Sequence, residues 1–303
     1  MDLGIFSSPR TIDGLTAAAR SAAEDGFASY WTSQVFGLDA LTAIAVAARQ
    51  VDGIRFGTGV VPIQPRHPMM LAGQALTVSQ ASGGQLDLGI GLSHQFVVEH
   101  LWGLPFNRPV RHMREYLEAL QPLLRGESGD THGEIVTSVG AIDIDDAVPP
   151  QVLVAALGEQ MLKVTGRLAG GTITWCTGPK TLRSHIVPTI TAAAEAAGRS
   201  APRIVAGLPI VLTDDVDSAK AFVAKTTQGY AQLPSYRAML DREGVEGPAN
   251  VAIVGDESAV GEALTRLGEA GATDLLSIPF AVEGDRDAVA RTRDLLSRLA
   301  RRP

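Results

Sequence analysis

Short apolar runs alternate along the chain with longer stretches in which apolar side chains recur every third or fourth position, the two periods of strands and amphipathic helices. The runs predict strands over 1–6, 28–32, 54–61, 85–94, 152–156, 172–175, 203–212 and 274–278. Between the first two, Leu15, Ala18, Ala19, Ala22 and Ala23 fall on helical spacing until Gly26 stops them. Further helices are predicted over 38–50, 67–81, 160–168, 181–197, 214–242, 258–270 and 285–301, with one more along the face of Met113, Tyr116, Leu117, Leu120 and Leu124. Residues 126–150 break the rhythm: they are rich in Gly and Asp and carry the β-prone run from Glu134 to Val139, which predicts a hairpin excursion around 127–149. Eight strands alternating with helices, without a second linker, predict an α/β fold of the (β/α)8 TIM-barrel type as one domain over 1–303; an open sheet of seven or nine strands would give a similar pattern.

The stretch from Ile54 to His94 adds a site to this scaffold. Two of its strands break off in glycine-rich turns, one through Gly57-Thr58-Gly59-Val60-Val61 and the other through Gly89-Ile90-Gly91-Leu92-Ser93-His94. Glycine inside a β-branched run weakens a strand unless a ligand or an unusual backbone geometry requires it. In a barrel both ends converge on the mouth, where catalytic residues sit. The strand-end inventory there has no dense cluster of carboxylates or histidines. Paired acids for glycoside hydrolysis, a metal-ligand set and a Ser-His-Asp constellation are all missing from it. A mouth so poor in acids and bases points to a bound cofactor that does the chemistry. The turn Ala155-Ala156-Leu157-Gly158-Glu159-Gln160 opens a helix and directs free backbone N–H groups at the mouth, a phosphate cradle in principle. No Walker lysine and no complete dinucleotide fingerprint accompany it.

Composition narrows the function. A formal charge of -7 argues against a sequence-independent nucleic-acid binder. Cys176 is the only cysteine, so neither an internal disulfide nor a cysteine zinc site can be built, and no metal site is expected. No basic-then-apolar leader and no apolar run near the ~18 residues of a membrane span is found, so a cytoplasmic location without membrane insertion is expected.

The segments Phe56-Gly57-Thr58-Gly59-Val60, Arg66-His67-Pro68, Leu88-Gly89-Ile90-Gly91, Ala155-Ala156-Leu157-Gly158 and Gly170-Gly171-Thr172-Ile173 together resemble the bacterial luciferase-like proteins, most closely the actinobacterial branch that uses the deazaflavin coenzyme F420. The likeness spans nearly the whole chain and rests on the order and spacing of the segments. It implies an F420-dependent oxidoreductase passing hydride to or from a small organic substrate, often as a homodimer. An FMN-dependent monooxygenase and a non-catalytic flavin or F420 carrier are the alternatives. It also implies a cis peptide at Gly59-Val60 behind the cofactor ring, with Val61 alongside, and a ring edge at Gly91, Leu92 and Ser93. The cofactor phosphate would lie at Ala156, Leu157, Gly158, Glu159 and Gln160, with Trp175 as a pocket wall. His94, Ser33 and Gln34 are the residues expected to meet substrate; many deazaflavin-dependent members of the family end the second strand with an Asp-His pair, where this chain has Gln34-Val35. Trp31 is a second candidate wall. His67 is expected to cap a helix, and Arg66 and the arginines of the last helix to be solvated.

Overall fold

The computed structural model describes residues 1–301. Its strands are β1 (Asp2–Phe6), β2 (Ser29–Thr32), β3 (Arg55–Thr58), β4 (Val61–Pro62), β5 (Leu86–Gly91), β6 (Gly129–His132), β7 (Thr137–Gly140), β8 (Gln151–Val154), β9 (Gly171–Trp175), β10 (Arg203–Leu212), β11 (Ile253–Gly255) and β12 (Asp274–Pro279). The helices are α1 (Ile12–Glu24), α2 (Ala40–Ala48), α3 (Pro68–Ala81), α4 (Pro109–Leu124), α5 (Glu159–Leu168), α6 (Pro179–Thr181), α7 (Val187–Ala196), α8 (Val216–Ala231), α9 (Pro234–Glu243), α10 (Glu257–Glu269) and α11 (Ala288–Ala300). Strands β1, β2, β3, β5, β8, β9, β10 and β12 pair in that order, all parallel, and β12 returns to β1. The result is a closed (β/α)8 barrel. No helix among the described residues is long and apolar enough to cross a membrane.

Five local features depart from the sequence pattern. The third predicted strand is two pieces, β3 and β4, with the cis Gly59-Val60 peptide between them. The hairpin pairs β6 with β7, and Glu134 to Val136, predicted as part of a strand, form its turn. The predicted 181–197 helix begins at Pro179 and passes through a π-helical turn, Leu182–Ile186, before α7. The predicted 214–242 helix splits because Pro234 starts a new helix, α9, where its missing N–H is no loss. A short strand, β11, pairs with the outer half of β10; three residues are too few for a period to register in sequence.

The barrel interior is layered. At the N-terminal end Arg203 reaches the carboxylates of Asp87 at 2.7 Å and Asp274 at 2.6 Å, and Arg55 pairs with Asp2 at 3.0 Å. Above them lies an apolar layer of Trp31, Leu153, Ile173, Val205 and Leu276, with Phe6, Val60 and Ile278 packed against it. Trp31 is 1% exposed and its indole N–H donates to Ser29 Oγ at 2.7 Å. This indole accounts for Gly57. A Cβ there would stand 2.2 Å from the Trp31 ring, so the glycine weakens its strand but makes room for the largest buried side chain of the barrel. The ligand-free explanation thus holds for Gly57, and Trp31 is core rather than pocket wall. Gly89 is likewise required by packing, since a Cβ would meet the Thr58 carbonyl oxygen at 1.8 Å.

Candidate active site

Above the apolar layer the inward positions turn small. A Cβ at Gly59 would touch Leu276 at 3.4 Å and Trp31 at 3.8 Å; one at Gly91 would meet Val60 at 2.8 Å and Ala155 at 3.3 Å; one at Gly207 would meet the Thr174 carbonyl oxygen at 2.8 Å, so packing also requires that glycine, and Trp175 at 3.3 Å. Gly59, Gly91, Ala155 and Gly207 therefore form a ledge with little side-chain bulk at the C-terminal mouth, roofed on the β9 side by Trp175. Val60 is half-buried and packs against the apolar layer beneath, whereas Val61 is fully buried in the main core among residues of the surrounding helices. A flat ring system fits such a ledge, and side chains of ordinary size would fill it.

The turn after β8 is the second half of the candidate site. Gly158 is the N-cap of α5 with φ -74° and ψ 148°, and no side chain caps the helix. This backbone suits any residue, and a Cβ would have nothing within 4 Å. Neither conformation nor packing inside the chain asks for glycine here. What it leaves is an open helix N-terminus with free N–H donors, the physical form of a phosphate site. The acid in the first turn, Glu159, is drawn to Lys163 Nζ at 2.6 Å, and that hydrogen bond holds its carboxyl below the usual range. On the other side His185, from the π-helical turn after β9, donates through Nε2 to the Leu157 carbonyl at 2.9 Å and fixes the turn. A histidine inside an apolar helix gave no signal of this role in the sequence. Ledge and cradle together fit a ring with a phosphate tail.

The residues assigned to substrate separate in the structure. His94 follows β5 through Ser93, whose φ of 58° turns the chain, with Leu92 half-buried before it. The His94 ring lies 6.0 Å from Tyr230 and 6.3 Å from Tyr236 between centroids, and Tyr230 lies 6.1 Å from Trp175. Burial lowers the His94 pKa, so the imidazole is neutral at pH 7. Ser33 stands half-buried directly after β2. The Gln34 side-chain carbonyl accepts from Arg66 Nη2 at 2.7 Å and from the Ala40 N–H at 3.2 Å, which anchors the turn before α2. Arg66 is correspondingly not a solvated charge; its side chain is 11% exposed and also pairs with Asp39 at 2.8 Å. Gln34, Arg66, His67, Met70 and Trp102 line a shallow cleft that also takes in Pro62 at the end of β4. His67 caps α3, its Nδ1 accepting from the Met69 N–H at 3.2 Å. In the last helix Arg293 pairs with Asp25 at 2.7 Å, so that arginine too is engaged.

Tyr230 and Tyr236 were not legible as site residues. They lie on α8 and α9, far along the chain from any strand end, and reach the mouth because α9 is latched to the helix after β9. The Glu243 carboxylate accepts from the Lys180 and Thr181 N–H groups at 3.1 and 2.7 Å, and Thr181 Oγ1 donates to the Met239 carbonyl at 3.1 Å. Cys176, with φ 50° at the end of β9, is buried and its thiol is pushed far up by that burial, so it is no nucleophile.

The family model of luciferase-like monooxygenases matches residues 1–296. A 5,10-methylenetetrahydromethanopterin reductase of Methanolobus tindarius is 27% identical over 281 residues, 92% of this chain and 85% of that protein. Among solved structures, a coenzyme F420-dependent tetrahydromethanopterin reductase from Methanopyrus kandleri superposes with a TM-score of 0.81 at 21% identity, covering 98% of this chain and 97% of the other. The oxygenating constituent of 3,6-diketocamphane monooxygenase from Pseudomonas putida, in complex with FMN, superposes with a TM-score of 0.74 at 19% identity, covering 98% and 97%. At these identities the two structural likenesses are likenesses of fold.

Proposed function

The chain belongs to the luciferase-like monooxygenase family, and on that premise we propose that it is a cytoplasmic F420-dependent oxidoreductase acting on a small organic substrate. The observation that carries the reading is Gly158, a glycine that nothing in the chain requires at an uncapped helix N-terminus beside a ledge of small residues. The N–H groups after Ala156, Leu157 and Gly158, those of Glu159 and Gln160 included, hold the phosphate. Gly59, Val60, Val61, Gly91, Leu92, Ser93 and Trp175 border the ring. The deazaflavin, when bound, supplies the carbon that takes or gives hydride; the protein aligns it, and alignment at short range is the main demand of that chemistry.

F420 is preferred to FMN because the reductase of Methanopyrus kandleri is named for it and superposes more closely than the FMN complex. Titration of the purified protein with each cofactor tests this. Binding of F420 with little affinity for FMN is expected; the reverse preference makes the protein an FMN monooxygenase, and tight F420 binding without turnover across a broad substrate panel makes it a carrier. A homodimer is part of the same reading, supported by Val35, Phe36 and Met70, which are 57%, 68% and 58% exposed on one side of the barrel. Light scattering after gel filtration reads it directly.

His94 accepts a proton in this site, because burial keeps it neutral where an imidazolium would be needed to give one. Ser33 is the hydroxyl placed to orient the substrate oxygen, and Gln34 acts through Arg66 by holding the turn. The pH dependence follows. Since burial lowers the His94 pKa from 6.5, kcat/KM is expected to fall toward acidic pH as the imidazole protonates, with the midpoint of that limb below pH 6.5. His94→Gln should lower the rate by roughly 10²-fold and remove that acid limb while F420 still binds. An unchanged acid limb in the variant assigns the titration to another group.

A further inference from the structure

The four aromatic rings at the mouth come from three separate parts of the chain: His94 after β5, Trp175 at the end of β9, and Tyr230 and Tyr236 on α8 and α9. They meet edge to face, with Tyr230 at the centre: its centroid is 5.0 Å from Tyr236, 6.0 Å from His94 and 6.1 Å from Trp175, at interplanar angles of 60° to 74°. Among the described residues the Trp175 indole N–H is buried and has no acceptor. An indole nitrogen only donates, so a group buried in this way calls for an acceptor from a bound molecule. Burial is the largest cause of the pKa shifts of the three titratable rings, raising the two phenols and lowering the imidazole. The four side chains thus form an aromatic enclosure, uncharged at neutral pH and short of one acceptor.

We propose that Tyr230, Tyr236, His94 and Trp175 form the specificity pocket of this protein, and that it selects uncharged substrates with a planar aromatic group next to a carbonyl or hydroxyl oxygen. Ring edges and faces at these angles accept a further flat ring in the same edge-to-face manner, whereas a saturated ring of equal size gains burial only. The oxygen beside that ring receives the Trp175 N–H. Phosphorylated sugars and carboxylate substrates find no counter-charge here and would lose hydration without compensation. The assignment deepens the reading of the mouth as the site of hydride exchange and rests on it for its chemistry, but not for its binding.

Three matched probes test it by calorimetry on the full-length protein, with and without F420: acetophenone, cyclohexyl methyl ketone, which keeps the carbonyl but loses planarity, and α-methylstyrene, which keeps planarity but loses the oxygen. Glucose 6-phosphate serves as the charged probe. Acetophenone is expected to bind about tenfold more tightly than either matched probe, with glucose 6-phosphate weaker still. Tyr230→Leu and Tyr236→Leu should each weaken acetophenone about fivefold, and Trp175→Phe should weaken acetophenone but not α-methylstyrene. Affinity for F420 should be unchanged in the two tyrosine variants, and a thermal midpoint within about 2 °C of the parent certifies that the fold is intact. Equal affinities for acetophenone and cyclohexyl methyl ketone, or an acetophenone affinity that both tyrosine variants leave within twofold, overturns the proposal. So does mutual displacement of acetophenone and F420, which would make the enclosure part of the cofactor site. Failure of F420 to bind at all is a different result: it removes the F420 assignment and leaves the probe comparison standing.

Discussion

Arg203→Met is expected to destabilise the protein by about 3–5 kcal/mol, the range found when one partner of a buried ion pair is removed. Arg203 closes the N-terminal end of the barrel. Its guanidinium donates to Asp274 at 2.6 and 3.2 Å, to Asp87 at 2.7 Å and to the Gln151 side chain at 2.9 Å. Asp87 and Asp274 are 4% and 5% exposed, so neither carboxylate can recover its hydration when the arginine is gone. Arg55 remains, but at 3.9 Å from Asp87 and 3.5 Å from Asp274 it is a weaker partner. Although burial opposes the charge on Arg203, its hydrogen bonds to Asp274 and Asp87 raise its pKa overall, so it stays charged throughout the accessible pH range. Denaturation by urea measures the loss. The triple variant Arg203→Met, Asp87→Asn, Asp274→Asn should regain most of it, because replacing a whole buried ionic set is far less damaging than orphaning part of it. A loss under about 1 kcal/mol in the single variant would mean that water already serves these carboxylates.

The same network marks the border of what could be read from sequence. Parallel strands buried on both faces leave continuous apolar runs, and helices packed outside them leave a 3.6-residue period, so the barrel was visible in the alternation. The polar plug was not, because Asp87, Arg203 and Asp274 are each a single charge at a strand start, and nothing local says that three such charges share one cavity. Glycines were visible as anomalies but not separable. Gly57 serves the Trp31 indole and Gly89 the Thr58 carbonyl, whereas Gly158 serves nothing within the chain. Only three-dimensional neighbours tell a packing glycine from a binding one. The turn and strand-end residues of the proposed cofactor site came from family likeness and from the rule that barrel sites sit at strand C-termini. Tyr230, Tyr236 and His185 follow no such rule: they are helical residues carried to the mouth by tertiary contacts such as the Glu243 latch.

Gly158→Asp separates folding from cofactor binding more sharply than any other substitution at this site. The backbone of residue 158 already has the extended geometry of an N-cap, and the position of a Cβ is open. An aspartate there would accept from an N–H of the first turn of α5 and place a negative charge at the positive end of the helix dipole. Stability should therefore hold or rise, by a few tenths to about 1 kcal/mol. The same carboxylate occupies the donors that the phosphate needs and repels it. Two charge-assisted hydrogen bonds, at roughly 1.5–3 kcal/mol each, are then in competition, so F420 affinity is expected to fall on the order of 10²-fold or more. Gly158→Ala adds a methyl group without charge and should change affinity far less. The two readouts are a thermal midpoint and a fluorescence titration with F420, and their opposite movement is the signature. A variant that loses both stability and binding would show only a damaged turn, and Gly158→Asp binding F420 as the parent does would put the phosphate at another helix terminus.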